Sequence, residues 1–218
     1  LYESLGRREE AEQCYRRALA IDEKVFGADH PNVATDLNNL AELYRAQGKP
    51  EEAEPLLQRA LAIWEQMLGP DHPDTAISLN NLAELYRTQG NHEEAEPLLQ
   101  RALAIWEQVD PGHPYVAVSL NNLALIYKAQ GKNKQAESLF QKALLIQERT
   151  LGLDHPDTAR YLSNLAGFYG NQGIYDRAAS FYQRALEIAE RLLGSEHPFV
   201  ATLRKDYTDT LKKEENDE

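Results

Sequence analysis

Apolar residues recur along this chain at spacings of three and four, without sustained alternation. Beginning at Leu79 they fall at Leu82, Ala83, Leu85 and Tyr86, and beginning at Ala95 they fall at Leu98, Leu99, Ala102, Leu103 and Ile105. That spacing gathers them into one stripe on a helix and leaves the opposite face to Glu, Arg, Gln and Asn. Gly90 separates the two stripes and a PGHP turn follows the second. The pattern predicts two antiparallel amphipathic helices, A and B, with Pro73 in the first turn of A and Gly90 as its left-handed stop.

The same pair of stripes returns along the whole chain. His-Pro occurs at His30, His72, His113, His155 and His197, at intervals of 42, 41, 42 and 42 residues. NNLAELYR is identical at 38–45 and 80–87, and EEAEPLLQRALAIWEQ at 51–66 and 93–108. The contraction by one residue falls where MLGPDHP becomes VDPGHP, which marks a loop. A helices are predicted near 31–47, 73–89, 114–130 and 156–172, and B helices near 50–68, 92–108, 133–150 and 175–193. Pro55 and Pro97, near the B-helix starts, imply at most a mild bend. A lone helix pair cannot bury both stripes, so neighbouring pairs must stack into an all-helical solenoid with a continuous core. The reading is a single repeat domain over 1–214. It contains a partial repeat at 1–27, repeats at about 28–69, 70–110, 111–152 and 153–194, and a capping helix at 198–214, followed by a charged tail at 215–218 expected to fray.

Composition narrows the function classes. At 42% hydrophobic and 27% charged residues the chain can bury a core. Its 23 Lys+Arg against 35 Asp+Glu leave a net charge of −12, which argues against nonspecific nucleic-acid or anionic-membrane binding. No apolar run approaches the roughly 20 residues of a membrane-spanning helix. With one cysteine there is neither a disulfide framework nor a thiolate metal site, and a reducing cytoplasm is the expected compartment.

The small and large slots Leu79, Leu82, Ala83 and Tyr86, followed by Gly90, Ala95, Leu99 and Ala102, resemble the tetratricopeptide repeat signature, whose usual unit is about 34 residues. The 42-residue period, with LGPDHP in a longer connector, resembles more specifically the repeats of kinesin light chains and their bacterial relatives. No heptad coiled coil precedes the repeats here, so the resemblance concerns the module and not a motor role. It implies a right-handed α-solenoid of antiparallel helix pairs whose A helices line a concave groove for short, extended peptides of partner proteins. By position the groove slots are Asn38, Asn80, Asn121 and Ser163; Asn39, Asn81, Asn122 and Asn164; and Arg45, Arg87 and Lys128. A carboxamide carries both donors and an acceptor, and so suits an extended backbone whatever its side chains. The alternative role for at least one asparagine of each pair is a bond between neighbouring helices. Glu42 and Glu84 lie three residues before Arg45 and Arg87 and are placed to pair with them, whereas Leu125 leaves Lys128 without such a partner. With Arg160 and Asn164 on the next A helix, the groove is expected to become more basic toward its C-terminal half.

The remaining chemical signals read as structural. The His-Pro histidines are a repeat apart and do not converge on one metal, and His92, at a helix start, is expected to be exposed. The recurring Glu runs lie on the polar side of helix B, without the unique pocket that separates the pKa values of a catalytic pair. Cys14 aligns with Leu56 and Leu98 as a core thiol. Trp64 and Trp106 share a slot with Asp22, Gln147 and Ala189, which predicts partly exposed indoles at the core rim, either a second contact surface or packing for the connector. The sequence therefore reads as a non-enzymatic interaction scaffold without cofactor or metal, binding a protein or peptide ligand that carries acidic residues. Alternatives are a structural or self-assembling array, or a sensor segment of a larger regulatory protein. Self-association is expected through the N-terminal partial repeat, where Leu19 and Ile21 lack an A helix.

Overall fold

The computed structural model describes residues 8–217, with the side chains of 9–215. These residues form ten α-helices and no strand: α1 (Arg8–Phe26), α2 (Pro31–Ala46), α3 (Pro50–Met67), α4 (Pro73–Gln89), α5 (His92–Val109), α6 (Pro114–Ala129), α7 (Asn133–Leu151), α8 (Pro156–Gly170), α9 (Tyr175–Leu193) and α10 (Pro198–Asp217). The predicted A helices are α2, α4, α6 and α8, and their B partners are α3, α5, α7 and α9. The expected fragment of an A helix ahead of α1 falls on residues outside those described. At the other end α10 remains helical to Asp217 rather than stopping at 214.

The chain divides into two compact units, Leu1–Asp110 and Pro111–Glu218, and the boundary falls within the contracted VDPGHP connector. In the first unit α2 packs on α3 and α4 on α5, while α1 and α3 each lean on the A helix that follows. In the second, α6 packs on α7, α8 on both α7 and α9, and α10 on α9. This is the α-solenoid arrangement of stacked helix pairs.

Each A helix begins the same way. The imidazole Nδ1 of His30, His72, His113 and His155 accepts the backbone N–H two residues on, at 3.1 to 3.2 Å, and His197 does the same for Phe199 at 3.2 Å. The following proline has no N–H to satisfy, so His-Pro disposes of two orphan donors at once. At the far end of α4, Gly90 takes φ 83° and Asn91 N–H returns to the Tyr86 carbonyl at 2.8 Å, closing the helix with its last carbonyls satisfied.

Alanines of the helix stripes, including Ala34, Ala41, Ala53, Ala60, Ala76 and Ala83, are fully buried, and their small side chains allow close helix packing. Around them Leu37, Leu40, Leu57, Leu82 and Leu85 complete the core of the first unit. Polar bonds then lock successive repeats. Tyr44 donates to Glu12 at 2.9 Å, Tyr86 to Glu54 at 3.1 Å and Tyr169 to Glu137 at 2.8 Å, each from an A helix to the preceding B helix. The Tyr44 bond, with Arg16 beside it, holds the Glu12 carboxyl below its ordinary range. Between B helices, Arg59 pairs with Glu23 and Arg184 with Glu148, both at 2.7 Å.

Three expectations are corrected here. Trp64 and Trp106 are 8% and 4% exposed, so they belong to the core. Trp64 packs with Val33, Ala34 and Leu37 of its own A helix, and even the polar Gln147 in that slot is buried. The polarity of Asp22 misled because no A helix precedes α1 among the described residues. Cys14 is exposed for the same reason: among the described residues nothing covers it as Leu56 and Leu98 are partly covered in α3 and α5. His92 is half-buried rather than exposed, and its Nδ1 is buried without a hydrogen-bond partner.

Candidate functional site

The asparagine pairs occupy the middle of each A helix and divide into two kinds. The first member is turned toward the protein. Asn38 donates through Nδ2 to Ser78 Oγ on the next A helix at 3.1 Å, while its Oδ1 is buried without a hydrogen-bond partner. Asn80, 4% exposed, donates to the Ala76 carbonyl at 3.1 Å, and Asn121 Oδ1 accepts from Asn164 Nδ2 at 3.0 Å. The second members Asn39, Asn81 and Asn122 are exposed or half-buried, and their carboxamides form no hydrogen bond to described residues. Ser163 stands half-buried in the fourth repeat.

One turn or more beyond the asparagines lies the basic slot. Arg45 grips Glu42 with Nε and Nη2 at 2.9 and 2.7 Å, and reaches Glu84 on the next A helix at 3.3 Å. Arg87 grips Glu84 through two bonds of 2.8 Å. The first unit thus carries a closed ladder of alternating charge, in which neither guanidinium is left for a ligand without exchange. Arg160, 60% exposed, pairs with Asp157 on its own helix at 3.2 Å and stands at the N-terminal end of α8, whereas Lys128 is near the C-terminal end of α6. The two cations that the sequence grouped as a basic half-groove sit at different levels.

Lys128 itself is half-buried and has no carboxylate within ion-pairing distance among the described residues; Nζ donates to the Gly167 carbonyl at 3.4 Å. Burial alone lowers the pKa of its ammonium from the ordinary value. Beside it opens a pocket of about 340 Å³ within the second unit, walled by Gly167 and Gly170 of α8, Tyr182 of α9 and Asp206 of α10. Burial, with Asp206 nearby, pushes the Tyr182 phenol up to about 12. The sequence reading did not single out these four residues. Their signal was present, because Gly167 and Gly170 stand in the slots of Glu84 and Arg87, but nothing in a lone sequence places α10 against that gap.

Among the described residues no group of three His, Cys, Asp or Glu side chains is arranged to hold a metal ion, and no helix is long and apolar enough to cross a membrane. A comparison with curated proteins finds no match. Models of the tetratricopeptide repeat match residues 1–66, 37–108, 79–144 and 115–169, and a second model of that repeat matches 158–199. Among solved structures, BtubC (BKLC) from P. vanneervenii aligns with a TM-score of 0.79 at 26% identity, covering 94% of this chain and 84% of that one. A putative kinesin light chain with nearly identical TPR-like repeats from Podosopora anserina aligns with a TM-score of 0.68 at 29% identity, covering 87% and 90%. MamA, at 21% identity and a TM-score of 0.55, covering 87% and 93%, shares the fold. The stacked helix pairs, the 42-residue period and these matches converge: the chain belongs to the tetratricopeptide repeat family, in the long-repeat form resembling kinesin light chains.

Proposed function

We propose that this chain is a non-enzymatic scaffold that captures extended segments of partner proteins along the face presented by its A helices. The observation that carries the reading is the unpaired carboxamide that Asn39, Asn81 and Asn122 offer in the same slot of successive repeats. An extended backbone displays N–H and C=O groups that need partners, and a repeated carboxamide meets them independently of side chain. Asn38, through Ser78, and Asn121 with Asn164 tie neighbouring A helices beneath this face, while Asn80 bonds back to its own helix. Lys128 adds selectivity for acidic residues, because no carboxylate among the described residues neutralises it. Arg45 and Arg87 contribute through their ladder, and Arg160 at the far end of α8 through long-range attraction.

Pull-down of partners with the wild-type chain and with an Asn39→Ala, Asn81→Ala, Asn122→Ala variant tests the proposal. Affinity for a captured segment should fall by about 1 to 3 kcal/mol, the cost of leaving backbone groups unpaired. Unchanged affinity removes the A-helix face from consideration.

A second reading rests on a separate observation. Ile21 and Val25 on α1 are 55% and 63% exposed, whereas Ile63, Ile105 and Ile188 in the slot of Ile21 are each 3% exposed. This apolar face supports self-association of two chains. Light scattering should then show a concentration-dependent dimer that Ile21→Lys abolishes; a strict monomer at high concentration rejects it.

A further inference from the structure

The charged pair that closes the ladder in the first unit is dismantled in the second. Glu42 and Arg45 of α2 recur as Glu84 and Arg87 of α4, then become Leu125 and Lys128 of α6, and Gly167 and Gly170 of α8. In the first unit the carboxylate of Glu84 supplies the partner that Arg45 reaches on the neighbouring helix. In the second unit Lys128 stands in the arginine slot and Gly167 in the glutamate slot, so the cation meets only a backbone carbonyl. A side chain leaving Gly167 would emerge 3.2 Å from the Tyr182 hydroxyl and 4.0 Å from Lys128 Nζ. Tyr182 is 7% exposed, yet its hydroxyl lines the pocket without a hydrogen-bond partner among the described residues. A half-buried cation and the accessible hydroxyl of a buried tyrosine thus flank the space that a carboxylate fills in the first unit.

We infer that this pocket accepts the side-chain carboxylate of a single glutamate or aspartate from a bound segment, supplying from outside the group that Glu84 supplies from within. The inference rests on the A-helix face being the binding face and adds a sequence requirement to it. Lys128 and Tyr182 donate to the carboxylate in a half-buried site, where charge-assisted bonds are strong. Asp206, which lies near Tyr182 in the same pocket, has no ion pair among the described residues, Asp209 pairs with Lys212 at 3.6 Å, and Lys213 also lines the pocket. Lys128 is matched by the one incoming carboxylate, and the two aspartates outnumber Lys213, so a second carboxylate is repelled and a cation attracted. The favoured motif is therefore an acidic residue next to Lys or Arg, and a polyacidic run is disfavoured.

The test uses the whole chain labelled with nitrogen-15 and the capped dipeptide N-acetyl-Glu-Arg-amide, followed by the amide signals of Gly167 and Gly170. Saturable shifts at both glycines are expected, with binding at least about tenfold weaker for N-acetyl-Gln-Arg-amide and for N-acetyl-Glu-Glu-amide. Gly167→Glu should abolish the shifts by rebuilding the internal pair. Since its side chain must displace the Tyr182 hydroxyl slightly, Lys128→Leu and Tyr182→Phe provide the same test in a background with no added bulk. Absent or non-saturable shifts overturn the inference, as do equal affinities for the Glu and Gln dipeptides. If partner capture depends on Asn39, Asn81 and Asn122 while the dipeptide fails to bind, the pocket alone is wrong. If the dipeptide binds and those asparagines do not matter, the binding face is wrong.

Discussion

At the scale of single residues, histidine takes a position usually given to Ser, Thr, Asp or Asn. His72 caps α4 because its Nδ1 lone pair lies where a side-chain oxygen would otherwise accept, with Pro73 held ready for the first turn. His72→Ala should cost about 0.5 to 2 kcal/mol in denaturant unfolding, and His72→Asn should recover most of it. Equal losses for both variants would show that the imidazole contributes by packing and not as a cap. Asp36 is a residue the structure tolerates rather than uses. Burial, with Asp22 nearby, raises its carboxyl above the ordinary range, and one oxygen has no hydrogen-bond partner. Because the folded state favours the protonated form, the stability it contributes is present in acid and is lost as pH rises through the folded pKa. Asp36→Asn should therefore stabilise the protein at neutral pH by up to about 1 kcal/mol and bring no gain near pH 3. A gain of the same size at both pH values would refute the electrostatic origin.

At the scale of helices, the stripe and its register govern everything else. Leu82 is 4% exposed and lies in the cluster where α2, α3 and α4 meet, together with Leu40, Leu57 and Leu85. Leu82→Ala should cost about 2 to 5 kcal/mol by chemical denaturation, through lost burial and the cavity left behind. A loss under about 1 kcal/mol would mean that the helices collapse into the space. The Tyr to Glu bonds act differently. Tyr86 and Tyr169 each tie an A helix to a specific turn of the preceding B helix, so they specify the stagger of packed helices more than their total stability.

At the scale of the molecule, both tryptophans lie in the first unit, at 64 and 106, and both are buried. Tryptophan fluorescence therefore follows the unfolding of that unit, while circular dichroism at 222 nm follows helices throughout the chain. A single repeat domain, in which each pair draws stability from its neighbours, predicts coincident transitions in urea. Separated midpoints would show that the two units unfold independently and that the VDPGHP connector divides the array energetically.

The sequence alone determined the helices and their order, because a stripe at spacings of three and four, His-Pro before it and Gly after it are local features repeated four times over. Helix bounds came within a few residues for this reason. Internal comparison of the repeats also carried the contrast between Arg45 or Arg87 and Lys128, since it required only that Glu42 and Glu84 become Leu125. The tertiary structure decided what local pattern does not contain. Slot identity read Trp64 as rim and Cys14 as core, but burial depends on whether another helix covers the face, and among the described residues α3 is covered where α1 is not. Likewise the two asparagines of each pair are neighbours in sequence and equivalent in chemistry. Asn38 and Asn121 bond across to the next A helix, whereas Asn39, Asn81 and Asn122 make no hydrogen bond to described residues, because adjacent helical positions point about 100° apart. The pocket beside Lys128 needed both levels: two glycines visible in the repeat alignment, and the packing of α8, α9 and α10 that turns their missing side chains into a walled space.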